Sequence, residues 1–143
     1  NLKEELQQLK NNNKYIVLDV AGRDSAEFRS ALLTADVLII PTQPSQTDIE
    51  VLPFVLRLVN TAKQVNKNLK TFVVLNKAPT NNKSTEIDAA LELLQQVKSV
   101  KTLNTILRDR KQFRDAMIEG KSVLEMGSSK AKDELNEFLV ESL

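Results

Sequence analysis

The chain has 143 residues, of which 41% are hydrophobic and 27% are charged, and its formal net charge at pH 7 is +1. This composition is typical of a globular protein with one core, and the small net charge provides little long-range attraction to nucleic acid or membranes. The sequence contains neither Cys nor His, which excludes disulfides, thiol nucleophiles, His-based triads and zinc sites built from these ligands. Any bound metal must therefore have oxygen ligands, which favours Mg²⁺.

The sequence carries no signal for export or membrane insertion. No apolar run reaches the roughly 18 residues that cross a bilayer. The first residues, 1–5, are charged rather than apolar as in a secretory signal. We therefore expect a cytoplasmic protein without a membrane partner. Because the first residue is Asn rather than Met, we also expect the translated start to lie elsewhere.

Apolar periodicity predicts alternating helices and buried strands along the whole chain. The predicted helices cover residues 2–10, 26–35, 48–65, 85–97, 111–119 and a last segment after an N-cap at Ser128 or Ser129. The predicted strands cover residues 15–20, 36–41, 69–75 and 101–107. Strands that alternate with helices form a parallel sheet, and no linker divides the chain, so we predict a single α/β domain over residues 1–143.

The first predicted strand leads to a candidate catalytic carboxylate, Asp19. Its continuous apolar residues predict burial on both faces of a sheet, and an ionised carboxylate is costly to bury unless it is paired or bound to a cation. Asp19 is therefore expected at the carboxyl end of the strand, followed by a turn or close approach at Gly22. Two interpretations remain open from these residues. One is a strand of the Walker B kind, with Asp19 facing Mg²⁺ through a water; the other is an Asp that caps the next turn.

Four stretches, in this order, resemble the ParA/MinD family of deviant Walker ATPases, and most closely the small ParF-type plasmid partition ATPases. They are residues 15–22, similar to the Walker B strand; 35–48, similar to a strand and proline loop; 73–77, similar to the strand that ends at the adenine; and 106–125, similar to the C-terminal signature. The resemblance covers nearly the whole chain. It implies a P-loop NTPase-like parallel sheet flanked by helices.

The resemblance also implies roles for single residues in binding ATP or ADP with Mg²⁺. Asp19 would hold the water shell of the metal, and Gly22 would offer a backbone N–H near the γ-phosphate. Asn76 would hydrogen-bond the adenine, with Lys77 and Pro79 shaping that pocket.

The resemblance further implies that the loop with Pro41 and Pro44 lies alongside the nucleotide and the dimer interface. The full-length protein would hydrolyse ATP slowly, dimerise on ATP and bind DNA nonspecifically during plasmid or chromosome partition. Its partners would be a second copy, DNA and a centromere-binding partition protein.

The glycine-rich phosphate loop of this family is missing from the sequence. The Gly-Lys-Ser at residues 120–122 does not qualify, because the position five residues before Gly120 is Asp115 rather than glycine. Gly120 is instead expected to end a helix. We therefore expect the chain to be the C-terminal portion of a ParA-like ATPase, unable to hydrolyse ATP alone. The alternatives are a homologue that naturally lacks the loop and a non-enzymatic adaptor that uses the α/β scaffold for protein contacts.

Basic residues crowd one region of the C-terminal half: Lys98, Lys101, Arg108, Arg110, Lys111 and Arg114. One interpretation is a patch that contacts DNA phosphates, in which Arg110 and Arg114 share a helix face if the helix begins by Arg110. The other is a solvated face partly neutralised by acidic neighbours such as Asp109, Asp115 and Glu119. A sheet that lacks a strand also exposes an unpaired edge, so we expect the chain to self-associate or to be marginally soluble.

Overall fold

The computed structural model describes residues 2–81, 84–97 and 100–143. Lys98 of the predicted basic cluster lies outside these ranges. The chain divides into two compact units, Asn1–Leu38 with Leu52–Lys70 and Ile39–Val51 with Thr71–Leu143. The single domain stays a prediction. Within the described ranges, no helix is both long and apolar enough to cross a membrane.

The predicted α/β class is confirmed by a three-stranded parallel sheet with flanking helices. The helices are α1 Leu2–Lys10, α2 Ala26–Thr34, α3 Gln46–Lys63, α4 Glu86–Gln95, α5 Lys111–Ile118 and α6 Lys130–Ser142, with a 3₁₀ turn at Val123–Glu125. The strands are β1 Val37–Thr42, β2 Lys70–Ala78 and β3 Lys101–Arg108. Their order in the sheet is β1-β2-β3.

The predicted strand over residues 15–20 is wrong, because this segment is irregular. Its exposure alternates along the chain: Val17 is 92% exposed, whereas Ile16 and Leu18 are only half-buried. No backbone–backbone hydrogen bond joins it to any other residue in the described part of the chain. A strand needs a neighbouring ladder to pair its N–H and C=O groups. The apolar run that predicted burial on both faces therefore alternates between exposed and half-buried residues.

In the first unit, α1 packs against α2, and side-chain caps define both ends of α2. Ser25 is the N-cap, and its hydroxyl accepts the backbone N–H of Phe28 at 3.1 Å. At the other end, the side-chain amide of Asn66 donates to the carbonyls of Leu32 and Ala35 at 3.0 and 2.8 Å. These bonds satisfy carbonyl groups that a helix end leaves free.

In the second unit, β2 and β3 pair in parallel with two irregularities in register. The paired positions are Phe72 with Lys101, Val73 with Thr102, Leu75 with Ile106 and Ala78 with Arg108. The first irregularity adds residues to β3, and the second adds one to β2. Such bulges leave backbone groups unpaired within the ladder and bend the strand.

Helix α6 covers the outer edge of β3 with two glutamates that lie about two helical turns apart. One carboxylate, Glu141, accepts the backbone N–H groups of Asn104 and Thr105 at 2.8 and 2.9 Å and also both of their side chains. The other, Glu134, accepts the backbone N–H of Arg108 at 3.2 Å. The sheet edge that we expected to be exposed is therefore covered on the β3 side.

Glu134 also binds the guanidinium groups of Arg108 and Arg110, at 3.2 and 2.6 Å. Burial opposes ionisation of Glu134, but the hydrogen bonds from Arg110 and Arg108 outweigh it, so the pKa of this carboxyl lies below its ordinary value. For Glu141, burial also opposes ionisation, but the hydrogen bonds from Asn104 and Thr105 outweigh it and lower the pKa of this carboxyl. Both carboxylates are therefore ionised at neutral pH, when they accept all of these bonds.

Helix α5 ends as the sequence predicts, at a left-handed glycine. Gly120 has φ +65°, and its N–H donates to Met117 O at 3.1 Å, while the N–H of Lys121 donates to Ala116 O at 2.9 Å. This pair of bonds is the Schellman arrangement. The Gly-Lys-Ser sequence is therefore a helix terminus.

Replacing Thr71 by Val tests an orphaned hydroxyl in β2. Thr71 Oγ1 is buried without a hydrogen-bond partner among the described residues, so Thr71→Val should raise the free energy of unfolding by about 1 kcal/mol in urea titrations. The control Thr105→Val has the same shape change but removes the bond to Glu141, and it should lower stability by about 1 kcal/mol. Equal losses in the two variants would contradict the assignment.

Replacing Glu134 by Gln tests the carboxylate under β3. Because the folded pKa is lowered, its stabilisation is complete above the unfolded value of 4.5 and is lost as the pH falls through the folded pKa. Glu134→Gln should therefore cost about 2 kcal/mol at pH 7, and the gap from the parent chain should narrow below the unfolded value. The exposed Glu137→Gln on the same helix should change stability little at either pH. A gap independent of pH would count against this role.

Candidate functional site

The carboxyl ends of the strands in the second unit carry most of the predicted site residues. β1 is followed by Pro44, β2 ends among residues 76–79, and β3 ends at Arg108. This is the edge at which open parallel sheets bind ligands. Asp19 and Gly22 belong to the first unit.

The proline loop begins inside β1 rather than after it. We predicted that Pro41 ends the strand, but β1 continues to Thr42, with Pro41 exposed. A proline fits there because β1 is at the edge of the described sheet, where its missing N–H takes no bond from the ladder. Pro44 is half-buried just beyond the strand.

The N-cap of α3 is Ser45, so this helix begins before the predicted start at residue 48. The Ser45 hydroxyl accepts the backbone N–H of Asp48 at 3.2 Å and donates to the Asp48 carboxylate at 2.5 Å. A serine N-cap of this kind satisfies one of the backbone N–H groups that the first turn of a helix leaves free. Asp48 therefore contributes as an acceptor within the first turn.

A cleft of about 370 Å³ lies between the first turn of α3 and helix α4. Its lining consists of Pro44, Ser45, Gln46, Ile49, Glu86, Ala89, Ala90 and Leu93. The wall is mainly apolar, and it includes the proline loop but neither Asn76 nor Lys77. The cleft beside the proline loop is therefore not lined by Asn76 or Lys77, the predicted adenine-binding residues.

β2 ends in a bulge centred on Lys77. Lys77 has φ +51°, a left-handed conformation that L-residues other than glycine rarely adopt and that costs about 1 kcal/mol. The backbone N–H of Lys77 donates to Asn76 Oδ1 at 3.0 Å. This bond uses one lone pair of Asn76, and the described residues leave both Nδ2 hydrogens and the second Oδ1 lone pair open to a ligand. An adenine presents the matching donor and acceptor at N6 and N7.

The end of β3 holds this bulge in place. Ala78 is fully buried and pairs with Arg108, and its carbonyl accepts the N–H of Asp109 at 2.9 Å. Pro79 follows and is half-buried. The end of β2, which contacts the end of β3 through Ala78, thus carries Asn76, Lys77 and Pro79.

Asp19 and Gly22 lie on the irregular segment of the first unit. Asp19 is exposed and makes no ion pair with any described residue. A Cβ added to Gly22 would meet no atom of the described residues within 4 Å, so none of them requires glycine there. The roles of both residues stay predictions.

A magnesium ion fits Asp19 only as part of a shared site. The described residues contain no group of three or more acidic side chains that would hold a metal. Mg²⁺ usually keeps several waters and takes one or two carboxylates together with phosphates of a substrate. A single exposed carboxylate such as Asp19 fits a Mg²⁺ site that is shared with substrate phosphates. It does not fit a site built from protein ligands alone.

The predicted basic cluster is largely paired within the second unit. Arg108 and Arg110 bind Glu134, and their side chains are only 25% and 17% exposed. The hydrogen bond with Glu134 raises the pKa of Arg110. Two guanidinium groups on one carboxylate leave one positive charge in surplus. Sequence reasoning missed Glu134, although its spacing from Glu141 placed both on one helix face.

Lys111 and Arg114 differ from these arginines because they are exposed. Lys111 pairs with Asp115 at 3.1 Å and Arg114 with Asp109 at 2.5 Å, contacts that are worth little on a surface. Helix α5 begins at Lys111, with Arg110 extended before it, so Arg110 and Arg114 do not share a helix face. The two exposed cations remain accessible to an anionic partner.

Comparisons with known proteins identify the family of the chain. Residues 1–74, just over half of the chain, match the model of the AAA_31 family, an AAA domain. The chain is also 29% identical over 133 residues to "Maintenance of carboxysome distribution protein A" of Halothiobacillus neapolitanus. That alignment covers 91% of this chain and 60% of the relative, so the chain spans about three fifths of the relative's length.

The family match includes the segment with Asp19 and the proline loop and ends before Asn76. Proteins of this family use ATP and Mg²⁺. The closer likeness to ParF-type proteins stays a prediction. The chain belongs to the AAA_31 family of AAA domains, among the ParA/MinD-like P-loop NTPases.

Proposed function

We propose that this chain carries the adenine-contacting and Mg²⁺-facing residues of a ParA-like ATPase that acts in DNA partition. The observation that carries the proposal is the bulge at the end of β2, where the Lys77 N–H fixes the Asn76 side chain and leaves its amide open. A strained residue at a strand's carboxyl end is a feature of functional sites. Family membership supports ATP as the ligand.

Asp19 supplies the second part of the proposed site. Its exposed carboxylate has no competing ion pair among the described residues, so it is available to orient a water of the Mg²⁺ shell. When bound, Mg²⁺ neutralises charge that develops on the transferring phosphate. Asp19 would hold the metal's water shell, while Asn76 would hold the base.

The phosphates require groups that these 143 residues do not provide. The sequence contains no G-x-x-x-x-G-K-[ST] loop, and this loop's backbone N–H groups and lysine supply most of the electrostatic stabilisation. We therefore propose that sequence outside this chain supplies the loop, and that the chain alone does not hydrolyse ATP. An adaptor without nucleotide affinity is the competing function.

The similarity to a carboxysome distribution protein favours a second candidate cargo. ATP-dependent distribution of a protein assembly would use the same nucleotide residues as DNA partition. Both functions involve self-association and a partner protein, and they differ in the cargo that the partner carries. Co-purification of cargo with the protein distinguishes them, because DNA partition requires a DNA-bound partner.

Turnover measurements test the nucleotide site on the longest gene product that contains these residues. Asp19→Ala should lower the Mg²⁺-dependent kcat by about 100-fold, because charge stabilisation is lost. Asn76→Ala should raise KM by about tenfold, the equivalent of one or two lost hydrogen bonds. As a matched control, Asp24→Ala removes a carboxylate that pairs with Arg29 at the surface and should leave both constants nearly unchanged.

Two results would reject the proposal. Unchanged turnover in Asp19→Ala would remove this residue from the metal's water shell. A natural gene product that shows no Mg²⁺-dependent affinity for ATP in titration calorimetry would favour the adaptor. The 143-residue chain should show no turnover with or without Mg²⁺.

Nonspecific DNA binding should depend on the exposed cations of α5. Lys111→Ala and Arg114→Ala should each weaken binding to a labelled duplex of random sequence and reduce the slope of log K against log salt by about 1. Fluorescence anisotropy across a salt series measures both quantities. The control Lys130→Ala alters an exposed lysine of α6 and should leave the slope unchanged. A common slope for all variants would argue against DNA contact by α5.

A further inference from the structure

The bulge at the end of β2 is closed by the end of β3. β2 places Asn76 and Lys77 opposite the single residue Leu107, and the ladder resumes where Ala78 pairs with Arg108. The left-handed backbone of Lys77 is a conformation that persists only where the surrounding bonds hold it. The geometry of the bulge therefore depends on how firmly residues 108–109 are held.

Residues 108–109 are held from both edges of β3, because successive backbone N–H groups of a strand point to opposite edges. The N–H of Asp109 donates to Ala78 O of β2 at 2.9 Å. The N–H of Arg108 donates to the Glu134 carboxylate of α6 at 3.2 Å. These two N–H groups belong to neighbouring peptides, so Glu134 holds from outside the backbone that closes the bulge from inside.

Glu134 is anchored at this place by further charge-assisted bonds. Its Oε1 accepts Nε and Nη2 of Arg110 at 3.0 and 2.6 Å and Nη1 of Arg108 at 3.2 Å. Glu134 is only 8% exposed, so solvent screens these contacts less than it screens a surface ion pair. A glutamine would have one acceptor oxygen for the bonds that two carboxylate oxygens now accept, and it would lose the charge.

The bulge in turn allows the Asn76 amide one orientation. The Lys77 N–H is a donor and faces Oδ1 at 3.0 Å, and turning the amide over would bring the Nδ2 hydrogens against it. Adenine offers a donor at N6 beside the acceptor N7, which matches an amide held in this way. Guanine offers the acceptors O6 and N7, so its O6 would face the fixed Oδ1. The fixed amide therefore favours adenine over guanine.

We propose that Glu134 is a positioning residue that gives the nucleotide site its preference for adenine over guanine, by holding the end of β3 against the bulge that orients Asn76. This inference rests on the proposed adenine contact of Asn76. When Glu134 no longer holds residues 108–109, the bulge relaxes and the Lys77 N–H leaves Oδ1. The amide then turns to suit either base, so adenine loses its advantage.

Titration calorimetry with ADP and with GDP, each with Mg²⁺, tests this role on the longest gene product that contains these residues. The parent protein should bind ADP about tenfold or more tightly than GDP. Glu134→Gln should lower this ratio by about threefold or more, because the amide of Asn76 is no longer fixed. A purely structural role would reduce the number of binding sites for both nucleotides equally and leave the ratio of their affinities unchanged.

Two further variants separate positioning from general loosening of the sheet. Glu141→Gln makes the same change on the same helix, but its bonds go to Asn104 and Thr105, ahead of the bulge. It should lower stability and leave the ratio nearly unchanged. Arg110→Lys keeps a positive charge but loses the two-nitrogen contact with Glu134, so it should lower the ratio by about twofold. This variant replaces Glu134→Gln in the test if that protein does not fold.

The results distinguish a failure of the positioning role from a failure of the adenine contact. Asn76→Ala should weaken ADP binding by about tenfold and bring the ratio to about 1. If Asn76→Ala has this effect, an unchanged ratio in Glu134→Gln and Arg110→Lys, or an equal fall in Glu141→Gln, would overturn the positioning role alone. If Asn76→Ala changes neither quantity, the adenine contact is wrong and the positioning role falls with it.

Discussion

Backbone hydrogen bonding decides which extended segments of this chain become strands. Residues 15–20 and β3 are both rich in apolar and β-branched side chains, yet only β3 is a strand. β3 pairs with β2 on one side, and two carboxylates of α6 accept the backbone N–H groups of Asn104, Thr105 and Arg108 on the other. Residues 15–20 have neither support within the described chain. Apolar side chains favour packing of a segment against a core, but the segment becomes a strand only when its backbone N–H and C=O groups pair with a neighbouring strand.

The need to pair the backbone N–H groups of β3 also determines how charges are arranged at the end of this strand. Glu134 is positioned by its bond to the Arg108 backbone, and from that position it also binds two guanidinium groups. The arginines are therefore held to the fold, and the surplus positive charge remains beside the carboxyl ends of the strands. Lys111 and Arg114, one turn further along, pair only with exposed carboxylates. These four basic residues are close in sequence, but Arg108 and Arg110 are mostly buried whereas Lys111 and Arg114 are exposed.

Local patterns predicted what local forces control. Gly120 ends α5 because only the first residues after the helix determine that turn, and Ser25 and Ser129 cap helices for the same reason. The sequence failed where distant residues decide the outcome. Whether residues 15–20 find a ladder and whether Glu134 reaches Arg110 are both settled by segments far apart in the chain. The left-handed Lys77 was not predictable either, because the register shift between β2 and β3 imposes it.

The two parts of the candidate site therefore differ in how firmly this chain fixes them. Asn76 lies on a strand end that is held by the Ala78–Arg108 pair and by its own bond to Lys77. Asp19 lies on a segment whose backbone makes no hydrogen bonds to the described residues. In a strand, successive side chains point to opposite faces, so a ladder partner for residues 15–20 would also fix the direction of Asp19. The proposed role of Asp19 therefore depends on what pairs with its segment, whereas the proposed adenine contact of Asn76 depends on residues of its own unit.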